Sequence, residues 1–223
     1  MSTDNTARNS TFDTASRTAA RNSMLDRVRR AQPTATPYPS VPIFPVADKR
    51  PRSARFEAAL NAMGGTVVYG ETIATAEGFT AWLNERFGAQ ASIASAAAEV
   101  PGNTALRADI APAQFSTLDV GVVRARFGIC ETGSVWLSEA EYIVNAIGYL
   151  AQHLVVLLDP DSLEEGLQDA YRRDDFKTAK YCVLVTGPSA TADIEGVMIR
   201  GAQGVRSLTV VWWADKAGNP TAP

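Results

Sequence analysis

The sequence predicts an α/β fold: a three-layer α/β/α sandwich about a largely parallel sheet, with an N-terminal helical arm in front of it. Three observations lead there. From Arg55 onward, apolar runs of strand character alternate with stretches of helical period. The run His153–Leu158 is too apolar for a strand with one wet face, and parallel strands covered on both faces read this way. A chain of 223 residues with 46% hydrophobic content can also bury a substantial core.

Each segment is justified in turn. Residues 1–14 are polar and poor in apolar side chains, which predicts disorder. Residues 15–31 read as a helix whose narrow apolar stripe, Met24, Leu25 and Val28, is flanked by Arg and Asp. Prolines at 33, 37, 39, 42, 45 and 51 then exclude regular helix and predict an extended strap. This divides the chain into an arm, residues 1–51, and a body, residues 52–223. In the body, Phe56, Leu60 and Met63 line a helix stopped at Gly64-Gly65, and residues 66–69 form a short strand. Residues 77–87 predict a helix and 91–93 a brief strand, whereas 105–114 carry no clear period. Residues 118–123, 128–130 and 134–137 read as strands, 140–151 as helix, and His153–Leu158 as a buried strand. There follow a helix over 163–173, a strand over 181–186, a helix over 192–200 ended at Gly201, and a last strand over 207–213. The adjacent Trp212 and Trp213 of that strand must point to opposite faces.

Charge and composition exclude several function classes. The net charge of -3 argues against a generic nucleic-acid binder. Charge is uneven: six arginines (8, 17, 21, 27, 29, 30) against Asp4, Asp13 and Asp26 make the first thirty residues locally +3. A basic arm on an acidic body is either a solvated tail or a docking element. The two cysteines, Cys130 and Cys182, are far apart and read as small buried hydrophobes. With His153 as its one histidine, the chain lacks the ligands for a four-cysteine iron–sulfur cluster or a Cys/His zinc site, so no metal is expected here. No apolar run reaches membrane-spanning length and no signal-peptide core is evident, so a cytoplasmic location is expected.

Two segments carry the candidate chemistry. In Tyr181–Glu195, YCVLVTGPSATADIE, an apolar strand breaks at Gly187-Pro188 and is expected to open a helix capped by Ser189 or Thr191. Asp193 and Glu195 would occupy that helix's first turn, where they favour its dipole but repel a phosphate. A ligand there would offer hydroxyls, an amine or a metal ion; the alternative is a capping Asp193 and a solvated Glu195. In Glu131-Thr132-Gly133, a Glu at a sharp turn after a strand can face a cleft as nucleophile or general base, or simply bond its own backbone. His153, at a strand start, fits a neighbour-fixing role better than catalysis, and without a GxSxG elbow the hydrolase reading falls. Both candidate loops follow strands, so Glu131 and the 189–193 loop are expected to line one pocket at the carboxyl edge of the sheet.

Together these motifs resemble the LUD-domain family, the lactate-utilisation protein C type. The likeness rests on TGPSATADIE after the penultimate strand, on the Glu131-Thr132-Gly133 block, and on the histidine before the buried strand, and it extends over residues 55–213. Departures mark a divergent member: Gln203 and Val205 stand where G-x-HGP is usual, and Arg124 and Arg126 where the pattern is uncharged. The resemblance implies the fold shared by glucosamine-phosphate isomerases, ribose-phosphate isomerases and CoA transferases. It implies an accessory or substrate-binding subunit in the oxidation of L-lactate to pyruvate, with iron–sulfur clusters held only by partner subunits. The ligand would be a hydroxy acid or similar small molecule, gathered by Glu131, Thr132, Gly133, His153, Gly187, Pro188, Ser189, Thr191, Asp193 and Glu195. Two other readings stay open: a stand-alone CoA-transferase or isomerase-like enzyme using Glu131, and a non-catalytic interaction module. No nucleic acid or membrane partner is expected, and a homo-oligomer is left open.

Overall fold

The computed structural model describes residues 8–37, 39–70, 73, 75–192 and 196–214, with the side chains of residues 8–13 and 15 excepted. The chain divides into two compact units, Met1–Ile43 and Phe44–Pro223, so the division falls inside the proline strap. In the first unit, α1 spans Arg8–Arg30 and so begins earlier than the apolar stripe predicts. Its last turn carries Arg27, Arg29 and Arg30, which suit the negative end of the helix dipole. Met24 and Val28 are exposed. No described helix is long and apolar enough to cross a membrane.

The second unit opens with α2 (Arg52–Ala62) and β1 (Thr66–Val68), followed by α3 (Ala76–Phe87) and β2 (Ile93–Ser95). Thr75 caps α3 by accepting from Gly78 N at 3.1 Å, and Gly88 at φ 97° ends it. Next come β3 (Val120–Arg124), β4 (Phe127–Ile129), β5 (Ser134–Ser138), α4 (Glu139–Tyr142), α5 (Ile147–Leu150) and β6 (His153–Leu158). The chain continues through β7 (Leu163–Glu164), α6 (Leu167–Ala170), α7 (Asp175–Thr178), β8 (Cys182–Val185), β9 (Ala190–Ala192), β10 (Met198–Arg200) and β11 (Ser207–Trp212).

The fold is mixed α/β about a parallel central sheet. Its five strands run β1-β11-β6-β3-β2, every neighbouring pair parallel. The period-two alternation of strand side chains divides the core between the two faces. Val155 and Leu157 join Phe79 and Leu83 of α3 on one side, while Leu154, Val156 and Leu158 join Phe56 and Leu60 of α2 on the other. The last tryptophans follow the same rule: Trp212 meets Phe56 at 5.4 Å between ring centroids, and Trp213 meets Phe79 at 5.8 Å.

A second sheet, β7-β4-β5-β8, takes strands that the alternation alone would assign to the central one. Glu131-Thr132-Gly133 is a hairpin turn, with Gly133 at φ 67° and its N–H donating to Ile129 O at 2.9 Å, so β4 and β5 run antiparallel. β8 pairs antiparallel with β5, and β7 parallel with β4. One face of this sheet (Val135, Leu137) joins the α2 side of the main core. The other carries Phe127, Ile129 and Trp136, covered by Leu167 of α6 and Phe176 of α7.

Three predicted helices are corrected. The helix over 140–151 is two short ones, broken at Ile143, which adopts φ 60°. Over 163–173, Leu163–Glu164 is drawn into the second sheet and the helix is cut to α6. Over 192–200, Ala192 belongs to β9 and Met198–Arg200 to β10, and the two strands pair antiparallel, so neither Ser189 nor Thr191 caps a helix. Val197 and Met198 are exposed. Only Leu163–Glu164 is drawn away by a remote partner, β4; β9 pairs with β10, its neighbour in the chain, and 140–151 stays helical on either side of Ile143.

Two turns hold α2 in place. A Cβ on Gly133 would collide with the backbone of Leu60 and Ala59, and one on Gly187, at φ 70°, would lie 2.5 Å from Met63 O. We expect Gly133→Ala and Gly187→Ala each to cost at least about 2 kcal/mol of unfolding free energy, read by urea denaturation, because both the left-handed backbone and the space are lost.

Candidate functional site

The pairing of β5 with β8, Val135 opposite Val185, brings the two sequence-flagged loops side by side. Three hydroxyls join them: Thr132 Oγ1 and Ser134 Oγ are 2.6 Å apart, and Ser134 Oγ and Thr186 Oγ1 2.5 Å. Gly187 and Pro188 are buried beneath α2's end. Ser189 is engaged by the 201–205 loop: its N–H donates to Val205 O at 2.9 Å, its hydroxyl to Gln203 O, and its carbonyl accepts from Gly201 N at 2.7 Å. Thr191 is exposed on β9. Asp193 and Glu195 lie outside the described residues, and with them the expectation that Asp193 shares a pocket with Glu131.

Glu131 lines a cavity of about 660 Å³ between α2, the β4–β5 turn, the β7–α6 turn and the strap segment 44–50. Its Oε2 accepts from Leu167 N at 2.9 Å, which fixes the start of α6. Gly166 lets that carboxylate approach: a Cβ there would sit 2.8 Å from Glu131 Oε2 and 3.9 Å from Asp169 Oδ2, so the two carboxylates flank one glycine. Opposite, Arg55 is only 9% exposed and spans the cavity wall. Its Nη2 meets Glu165 Oε2 at 2.6 Å and its Nε donates to Arg50 O at 3.1 Å. Arg52 Nε meets the other oxygen of Glu165 at 2.7 Å. Hydrogen bonds from Arg52 and Arg55 hold the Glu165 carboxyl below its ordinary range. Burial pushes the neighbouring Cys130 thiol up, away from the reactive thiolate. The cavity thus combines guanidinium groups, carboxylates and an apolar rim of Phe44, Pro45, Val46 and Leu167.

Arg55, Glu165, Gly166 and Asp169 are absent from the sequence-derived site. A usable signal existed: Arg52 and Arg55 share one face of a first helical turn, and Glu164-Glu165-Gly166 interrupts the apolar pattern of 163–173. Reading 163–173 as continuous helix hid it. None of Gly187, Pro188, Ser189 and Thr191 lines this cavity.

His153 sits elsewhere. It begins β6, in register with Val120 and Ser207 at the starts of β3 and β11, and so marks the amino edge of the central sheet. Ligands of open α/β sheets gather at the carboxyl edge. The Nδ1 of His153 lies 2.8 Å from Ser207 Oγ, and its ring meets Phe87 at 4.9 Å. The first contact ties β6 to β11 within the sheet, and the second ties the sheet to the end of α3. Among the described residues no group of three His, Cys, Asp or Glu side chains could hold a metal ion.

With this geometry in view, comparison with known proteins decides the family. The family model of the LUD domain matches residues 53–212. The chain belongs to the LUD-domain family. This family is associated in general with lactate utilisation. The LUD fold is also seen in the crystal structure of a DUF162-family protein from Deinococcus radiodurans, which is 13% identical, with a TM-score of 0.52 over 73% of this chain and 96% of that one. No curated protein matches the chain. In this LUD domain the two glycine-bearing motifs bracket α2, and the charged cavity opens beside the first of them.

Burial and the positive charges of Arg206 and Arg86 lower the pKa of His153 below 6.5, against the weaker pull of Asp119. The folded state therefore favours the neutral ring. Its stabilising contribution is complete above the unfolded value of about 6.5 and is lost as pH falls through the folded one. As His153 is the only histidine, its ring proton resonance should titrate with a midpoint below 6.5, and His153→Gln should flatten the fall of stability between about pH 7 and 5.

Proposed function

We propose that this LUD-domain protein is a cytoplasmic accessory, substrate-binding subunit in an iron–sulfur-dependent oxidation of L-lactate to pyruvate, similar to lactate-utilisation protein C. The observation that carries the reading is the Glu131–Arg55 cavity in a chain matched by the LUD model over nearly all of its α/β body. A 2-hydroxy acid offers a carboxylate and a hydroxyl. Arg55 supplies a guanidinium for the first, and the Glu131 carboxylate an acceptor for the second. With two cysteines and one histidine, this chain leaves the electrons to iron–sulfur partner subunits. Because Glu131 also lines the cavity of a fold expected to be shared with CoA transferases, a nucleophilic role for it is the second reading.

Calorimetric titration with L-lactate, pyruvate and acetyl-CoA separates these. We expect L-lactate to bind, and Glu131→Gln to weaken it about tenfold, about 1.4 kcal/mol, while the melting temperature moves by less than about 3 °C. Binding of acetyl-CoA with a covalent adduct at Glu131, in place of L-lactate binding, would transfer the assignment to the second reading. Silence toward all three ligands would leave the chain as an interaction module.

A further inference from the structure

The segment Phe44–Arg50 lines the Glu131–Arg55 cavity and an adjoining hollow of about 520 Å³, where Lys49, Pro51 and Arg52 join it. Pro45, Val46, Asp48 and Arg50 border both spaces. The segment is exposed at Phe44, Pro45, Ala47, Lys49 and Arg50 and half-buried only at Val46 and Asp48, so it packs lightly onto the body. It is, however, braced within itself. Arg50 N donates to Asp48 Oδ1 at 2.9 Å, Arg50 Nη2 meets Asp48 Oδ2 at 2.6 Å, and Lys49 Nζ donates to Val46 O at 3.1 Å. Pro45 and Pro51 further restrict its backbone. Hydrogen bonds at its two ends tie it to the body: Phe44 N to Gln168 Oε1 at 3.2 Å, and Arg55 Nε to Arg50 O at 3.1 Å.

We propose that Phe44–Arg50 is a lid that closes onto a small ligand in the Glu131–Arg55 cavity; the identity of that ligand as a hydroxy acid rests on the function proposed above. Three features support closure. The cavity, at about 660 Å³, has the size that drug-like ligands fill, far larger than a three-carbon acid. A ligand that small stays solvated unless a wall moves in, and the braced segment is the wall with room to move. Phe44, on the cavity rim, is 69% exposed, so inward motion removes apolar surface from water. Arg55 links lid and ligand, because the same guanidinium holds the lid's Arg50 carbonyl and the Glu165 carboxylate inside the cavity. A ligand carboxylate that competes for Arg55 alters the lid's tether directly.

Limited trypsin cleavage of the full chain after Lys49, followed by mass spectrometry, tests the lid with cleavage after Lys180 as internal reference. Gln168→Ala removes one tether and should speed cleavage after Lys49 by about threefold or more, with faster amide exchange across residues 44–50 and no change at Lys180. Saturating L-lactate should slow the same cleavage in the unmodified protein. If Gln168→Ala leaves both Lys49 cleavage and strap exchange unchanged, the lid is overturned, whatever L-lactate does. If Gln168→Ala loosens the strap and none of L-lactate, pyruvate or acetyl-CoA slows the cleavage, the lid is overturned; protection by pyruvate or acetyl-CoA without protection by L-lactate keeps the lid and overturns the hydroxy-acid reading.

Discussion

The close approach of α2 to two glycine turns is the constraint on which the rest of this body depends. Gly133 and Gly187 belong to different strands' ends, yet both take positive φ and both abut the backbone at α2's C-terminal half. No side chain could occupy either place. By lying in that groove, α2 buries Phe56 and Leu60 between the parallel sheet and the second sheet, so that the two share one core. Full burial of such side chains is worth roughly 1.5–3 kcal/mol each. The chain of hydroxyls from Thr132 through Ser134 to Thr186 holds the two turns at matching height beneath the helix.

The same docking builds the cavity. The first turn of α2 presents Arg52 and Arg55 to Glu165, while the turn below delivers Glu131 to the start of α6. Each charge in the wall is therefore placed by a backbone element that the glycines position. Nearly buried, Arg55 needs the Glu165 carboxylate beside it, and an unpaired charge there would carry a heavy desolvation cost. A wall held this firmly, facing a segment tethered at its ends, is the division of labour expected of a site with a moving cover.

Outside the cavity, charged groups do structural work. Arg126 binds Glu141 at 2.6 Å and Asp175 at 2.9 Å, and Arg173 binds Asp175 at 2.6 Å and Glu164 at 2.7 Å. Both guanidinium groups also stand over aromatic rings, Trp136 and Phe127. This explains Arg126, a departure from the uncharged family pattern: over Trp136 it links Glu141 of α4 to Asp175 of α7. Arg124 pairs instead with Glu99. His153, likewise, joins β6 to Ser207 of β11 and to Phe87 at the end of α3.

The sequence by itself determined what depends on neighbours along the chain. The alternation of strands and helices, the fully buried β6, the opposite faces of Trp212 and Trp213 and the two glycine turns all follow from local period and backbone freedom. Glu131 was legible as a cavity residue because a turn after a strand leaves its side chain free to face a cleft. Only the tertiary structure decided which strands pair. It drew β4, β5 and β8 into a sheet with β7, paired Ala190–Ala192 with Met198–Arg200, and set Arg55 against Glu165 across 110 positions of sequence. The second sheet and the Arg55–Glu165 pair are fixed by shared burial and by partners remote in the chain, and no local pattern of residues encodes the partner's address.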